Sequence, residues 1–246
     1  MAQQKNLEVV YGVHPVTELI KAKKRKVSVV YTTKPSPKAF NIIQGQLPSY
    51  IEVRFVSKQH LEKLCGTPDH QGIVALATPI QIRKKFFDPK KQPLLVLLDG
   101  IQDPQNLGAI IRSAETLGIQ GLILPKHGSP DLNETVAKCS SGALEHLPIT
   151  WVTNLNHCIE KLKESGFWVA GVVPDGEMPC YQYKFNAPSA LVIGGEEKGI
   201  RPLLKKSCDV TLAIPMNGKL QSLNAASAST VIFYENLRQK LLLNTA

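Results

Sequence analysis

The sequence predicts an α/β protein in two parts: a small basic α/β domain over residues 1–78 and a parallel α/β domain over residues 93–246, joined by a linker over 79–92. Three observations predict it. Short apolar runs alternate with helical patterns along the whole chain, as strands joined by crossover helices do. Two of those runs, Leu94-Leu95-Val96-Leu97-Leu98 and Leu191-Val192-Ile193, are continuously apolar, the pattern of strands buried on both faces of a parallel sheet. Charge divides the chain as well: residues 1–92 hold 16 Lys/Arg against 6 Asp/Glu, and the remainder 13 against 14. A basic module joined to a near-neutral one points to a polyanionic partner, of which nucleic acid is the commonest, so the first domain is expected to recruit RNA.

In the first part, Leu7 to Gly12 reads as an apolar start that turns at Val13-His14-Pro15 into a helix running through Ile20, closed by the basic cluster Lys21 to Lys26. That cluster suits a helix C-terminus, and the charge excess around it favours an RNA-contacting role. Strands are expected at 27–32, 51–56 and 73–77, and helices at 38–46 and 59–64. The basic, proline-bounded segment 79–93 has no core pattern, and Phe86-Phe87 within it suits an anchor packed against protein. In the second part, Asp103 is placed to cap a helix with Pro104 at its first position. Further strands are expected at 121–124, 148–152 and 168–173, and helices at 133–144 and 155–164. No G-x-G-x-x-G follows the first strand of this domain and no P-loop is present, which argues against a nicotinamide dehydrogenase and an NTPase.

The stretch 191–230 organises the rest. Two apolar runs each break into a polar loop, one at Gly194-Gly195-Glu196-Glu197-Lys198-Gly199 and one at Pro215-Met216-Asn217-Gly218. Loops at neighbouring strand ends can wall one pocket, since ligands bind at the carboxyl ends of open parallel sheets. Ser222 is expected to cap the next helix, whose small residues Ala225 to Ser229 would let it lie close to a neighbour.

Three blocks in order, Asn106 to Ala114, Ile193-Gly194-Gly195-Glu196, and Ile214-Pro215-Met216 with Ser222-Leu223-Asn224, resemble the signatures of the SpoU (TrmH-type) RNA 2'-O-ribose methyltransferases. Tyr11-Gly12-Val13-His14-Pro15-Val16 and His70-Gln71-Gly72-Ile73-Val74-Ala75 are similar to the auxiliary domain of the members that methylate guanosine in 23S rRNA. The resemblance implies a SPOUT fold with a deep trefoil knot, a homodimer, and S-adenosylmethionine held in the knot at Gly194, Ile214 and Leu223. It implies that Arg112 acts on the target ribose, with Asn106, Glu196, Ser222 and Asn224 around it. Arginine is a poor base because its pKa exceeds roughly 12, so stabilisation of a developing alkoxide by Arg112 is the favoured role over proton abstraction. The substrate implied is ribosomal RNA; the rivals are a tRNA guanosine 2'-O-methyltransferase and a non-catalytic RNA-binding protein.

His14 and His70 fall in the segments that the family uses to recruit RNA, and His127 in a featureless loop; none is assigned as a base. The five cysteines are scattered, without C-x-x-C pairs or His at ligand spacing, so reduced thiols and no metal are expected. No apolar run approaches the roughly 20 residues that cross a bilayer, and the start lacks a signal-peptide core, so a cytoplasmic location without membrane partners is expected.

Overall fold

The structure, a computed structural model, describes residues 7–220 and 222–243. The outer ends of the two expected domains and Gln221, part of the run before Ser222, lie outside the described residues. The chain forms two units, one of residues 1–81 with 131–146 and one of 82–130 with 147–246.

The first unit holds β1 (Glu8–Tyr11), α1 (Val13–Ala22), β2 (Val27–Thr32), α2 (Phe40–Gln44), β3 (Glu52–Phe55), α3 (Lys58–Cys65) and β4 (Ile73–Ala77). Its sheet runs β1-β4-β2-β3, antiparallel except between β2 and β3. One face packs Val16, Leu19, Phe40, Ile43 and Ile73 into a core, and the other packs Tyr31, Leu61 and Val74. The helix expected at 38–46 is shorter: residues 38 and 39 form a turn in which the Phe40 amide donates to the Pro37 carbonyl at 2.8 Å, and the chain turns again after Gln44.

In the second unit β5 (Leu94–Asp99) leads to α4 (Pro104–Thr116), capped as expected by Asp103, whose carboxylate accepts from the Gln105 amide at 2.9 Å. After β6 (Gly121–Pro125) the chain leaves this unit. Residues 131–146 carry α5 (Glu134–Cys139) and a short 3-10 turn at Ala143–Glu145, and belong to the first unit. The chain then returns for β7 (Ile149–Val152), α6 (Leu155–Glu164), β8 (Trp168–Val172), β9 (Met178–Pro179), β10 (Ser189–Gly194), α7 (Pro202–Lys206), β11 (Val210–Ala213) and α8 (Ala225–Leu243). The seven strands form one parallel sheet, ordered β7-β6-β5-β10-β8-β11-β9. Its central strands are buried on both faces, as their unbroken apolar runs require.

Part of the expected linker is built into this second unit. The Arg83 amide donates to the Ile149 carbonyl at 2.8 Å, and Thr150 Oγ1 returns a bond to the Arg83 carbonyl at 2.7 Å. Phe87 is 3% exposed in the core, and its ring fills the space a side chain at Gly121 would need.

The excursion 131–146 is joined to the first unit through a buried cation. Arg25 is buried and forms ion pairs with Glu145 at 2.8 Å and with Glu8 at 2.7 Å, while its Nε donates to the Thr78 carbonyl at 2.5 Å. Burial pushes the Glu145 carboxyl above the usual range, against the pull of Arg25. The basic cluster at 21–26 is therefore only partly available to RNA: Lys21 pairs with Glu18 at 2.8 Å and Lys24 donates to the His146 carbonyl at 3.1 Å. Charge is also shared more evenly than the sequence cut suggested. The first unit carries 12 Lys/Arg against 8 Asp/Glu and the second 17 against 12, because the basic segment after Gln81 goes to one unit and an acidic excursion to the other.

Candidate active site

The carboxyl end of the sheet carries a cavity of about 320 Å³ over β10, β8 and β11. Its wall is mostly aliphatic: Val172, Val173, Ile193, Ile214 and Leu223 contribute, with Met216 from the loop after β11. Gly194, Glu196 and Ser222 line it too, so five of the eight residues singled out in the sequence meet at one cavity. The chain at the end of β8, Val172 to Pro174, was missed as cavity wall; Val173-Pro174 closing an apolar run was its only signal. Ala225 and Ala228 of α8 also line the cavity, from the small-residue segment expected to lie close to a neighbour.

Glycine at 194 is required by the protein's own backbone. A Cβ there would collide with the Gly199 carbonyl and the Ile200 amide, because the loop after β10 folds back on itself, closed by a 2.9 Å bond from the Gly199 amide to the Gly195 carbonyl. A Cβ at Gly195 would meet the Gly100 carbonyl on the opposite side. The two glycines thus let the β10 loop stand as a thin partition between the ends of β5 and β8.

At the rim, three of the expected polar residues bond to one another. Glu196 Oε1 accepts from the Asn106 side-chain amide and, at 2.8 Å, from Asn224 Nδ2, which also reaches Asn106 Oδ1 at 3.1 Å. Asn224 also caps α8, since its Oδ1 accepts from the Ala226 amide at 2.8 Å. The cap expected at Ser222 is therefore corrected. The helix starts at Ala225, three residues beyond Ser222 and too late for its hydroxyl to reach the free amides. The short side chains at the start of α8 bring it against α4, where Ser113 Oγ and Thr230 Oγ1 lie 2.7 Å apart.

Arg112 stands apart from this cluster. It is exposed on α4, six residues and about 9 Å of helical rise beyond Asn106, and makes no hydrogen bond or ion pair among the described residues. Helical side chains lean toward the N-terminus of their helix, which aims Arg112 along the α4 surface toward the end that bears Asn106.

Asp99, which the sequence reading passed over, ends β5 beside Gly194 and is 2% exposed. It accepts from Arg201 Nε at 2.8 Å and from the Arg201 backbone amide at 2.9 Å. An aspartate closing a continuous apolar run and followed by glycine was the available clue.

His70 is 3% exposed, its Nδ1 accepts from the Gly72 amide at 2.8 Å, and burial pushes its imidazole below the usual range. His14 and His127 are exposed. No disulfide joins the described cysteines, and no group of three or more His, Cys, Asp or Glu is placed to hold a metal among the described residues. No described helix is long and apolar enough to cross a membrane.

The fold and the cavity define a parallel α/β ligand-binding unit with a polar cluster at the mouth of an aliphatic pocket. Residues 93–234 match the model of the SpoU rRNA methylase family, and residues 9–83 match that of the RNA 2'-O ribose methyltransferase substrate-binding domain. A Staphylococcus haemolyticus protein assigned to the TrmH family as a tRNA/rRNA methyltransferase is 39% identical over 81% of this chain and 82% of its own. The 23S rRNA (guanosine-2'-O-)-methyltransferase RlmB of Ralstonia nicotianae is 34% identical over 95% of this chain and 96% of its own. Among solved structures, the SpoU methyltransferase AviRb of Streptomyces viridochromogenes in complex with AdoMet superposes with a TM-score of 0.76 at 28% identity, covering 96% of this chain and 91% of that one. The chain belongs to the SpoU/TrmH family of RNA 2'-O-ribose methyltransferases, which use S-adenosylmethionine.

Proposed function

We propose that this protein methylates the ribose 2'-hydroxyl of a guanosine in 23S ribosomal RNA and works as a homodimer. The observation that carries the choice of RNA is the likeness to the Ralstonia RlmB, which extends over nearly the full length of both chains. The dimer is supported by α8, which buries Ile232 and Phe233 on one side and exposes Val231 and Tyr234 on the other. The trefoil knot implied by the family belongs to the same reading.

The cavity fits the cofactor by the chemistry of its wall. Ile214 and Leu223 offer apolar surfaces for an adenine ring, Gly194 exposes backbone, and about 320 Å³ is within the roughly 300–1,000 Å³ of small-ligand sites. When bound, S-adenosylmethionine supplies an electrophilic methyl group. The residues of the chain must then align the 2'-hydroxyl and deal with its proton as the O–CH3 bond forms and the S–CH3 bond breaks. Arg112 serves by holding the ribose or its phosphate and stabilising negative charge on the 2'-oxygen, with the proton leaving to a phosphate oxygen or water. Asn106 and Asn224, oriented by Glu196, fix the rim against which the ribose rests, and Ser222 offers a hydroxyl at the cavity wall.

The test is transfer of labelled methyl from S-adenosylmethionine to unmodified 23S rRNA and to tRNA, with nuclease mapping of the product. Label in a 2'-O-methylguanosine of rRNA is expected. Label confined to tRNA would replace the substrate, and RNA binding without label would leave a non-catalytic RNA-binding protein.

A further inference from the structure

The partition formed by the β10 loop has a second cavity on its other side, of about 390 Å³, over the carboxyl ends of β6, β5 and β10. The two cavities share Gly195, Glu196, Lys198 and Gly199. Their chemistry differs. Where the rest of the first wall is mostly aliphatic, the second adds carboxylates at Asp103 and Glu197 and a guanidinium at Arg201 to the shared Lys198. Arg201 is set in place by the buried Asp99, which accepts from its Nε and forms an ion pair with Nη2 at 2.8 Å. A guanidinium has five N–H donors, so the Nη1 pair and one Nη2 hydrogen remain for a ligand, on a side chain that is 62% exposed.

Resting on the RNA 2'-O-methylation reading above, we propose that this second cavity receives the base of the nucleotide to be methylated and selects guanine. Guanine presents two faces of opposite polarity: N1–H and the N2 amino group donate, while O6 and N7 accept. Carboxylates suit the first face and an arginine fork the second, the pairing by which proteins most often read guanine. Such recognition requires a base turned out of its stack, the usual state of nucleotides read in single-stranded RNA. A ribose joined to a base in the second cavity lies at the shared wall, beside Glu196 and facing the first cavity. Asp103 and Glu197 are the specificity-determining residues in this arrangement, and Arg201 a positioning residue.

The test uses the full-length enzyme, labelled S-adenosylmethionine, and synthetic RNA fragments spanning the mapped nucleotide with guanosine, inosine or adenosine at that position. Inosine lacks the N2 amino group, so the wild-type kcat/KM is expected to fall on the order of 10- to 100-fold from guanosine to inosine. The variants are Asp103→Asn, which retains a helix-capping oxygen, and Glu197→Gln. At least one is expected to bring the guanosine-to-inosine ratio toward unity while leaving the Kd for S-adenosylmethionine unchanged. Equal wild-type turnover of all three fragments, or two variants that keep the full ratio, would each overturn the base pocket alone, and a mapped target other than guanosine would overturn both the pocket and the guanosine assignment above. Absence of methyl transfer to any RNA would refute the activity, and the pocket assignment with it.

Discussion

In the first unit most polar residues of the early motifs, the exposed His14 apart, are turned inward or onto one another: His70 is buried and bonded to Gly72, while Gln71 Oε1 accepts from the Val13 amide at 3.0 Å and from Lys138 at 3.1 Å. In the second, Asn106, Glu196 and Asn224 bond to one another at the mouth of a cavity, and Arg112 is exposed nearby on the same helix as Asn106. Both sets stood out equally in the sequence. The difference teaches that a motif marks where the chain is constrained, and that exposure and position at or near a cavity separate the candidate site residues from those that hold the scaffold.

The sharpest way to break this comparison is in the scaffold. Arg25→Ala leaves Glu145 buried without its cation, and thermal or denaturant unfolding should show a loss of about 3–5 kcal/mol; an unchanged midpoint would mean that the buried pair holds nothing together. At the site the expected sign is reversed. Arg112→Ala should keep its melting temperature and its affinity for S-adenosylmethionine but lose roughly 10²- to 10³-fold in single-turnover methyl transfer. Near-normal turnover would remove Arg112 from the reaction.

Smaller effects sharpen the division further. Leu223 is 42% exposed, so Leu223→Ala should forfeit about 1 kcal/mol of apolar contact, roughly a fivefold rise in the cofactor Kd by calorimetry, with little change in stability. The smallest expected response is that of the buried Cys158 thiol and the half-buried Cys208 thiol. Burial pushes Cys158 up to about 12 and Cys208 up to about 11, so iodoacetamide at pH 8 should leave both unmodified in the native protein. These raised values contribute stability that is full below the ordinary thiol range, near pH 8.5, and is lost as pH rises through about 11 to 12. Rapid native alkylation of either thiol would contradict its burial.

How much of this was legible follows from the range of the interactions involved. The strands of the parallel sheet and the Asp103-Pro104 helix start could be read because continuous apolar runs and caps are local signals. The three residues expected to hold the cofactor, Gly194, Ile214 and Leu223, were reached through motif resemblance, and the structure sets all three on one cavity. The fate of residues 131–146 could not be read: their helical pattern continues that of the second unit, and it is long-range contacts such as the pairing of Glu145 with Arg25, 120 positions away, and of Lys138 with Gln71 that assign them elsewhere. The Ser222 cap failed for a local reason, since Asn224 is an equally good cap and stands directly before the helix. The electrostatic reading of the Lys21 to Lys26 cluster failed at Arg25 because a sequence does not show which basic residue is buried.

The excursion of residues 131–146 means that the backbone passes between the two units at three places, near residues 81, 130 and 146. The units are therefore not beads on a string. A protease that cuts only between residues 79 and 92 yields a nicked chain whose first fragment is still gripped by residues 131–146 of the other, and gel filtration without denaturant should return both pieces in one peak. For the same reason a gene fusion that grafts residues 1–78 alone onto another enzyme transfers a module missing part of its own packing, and the transferable cassette must carry the excursion as well.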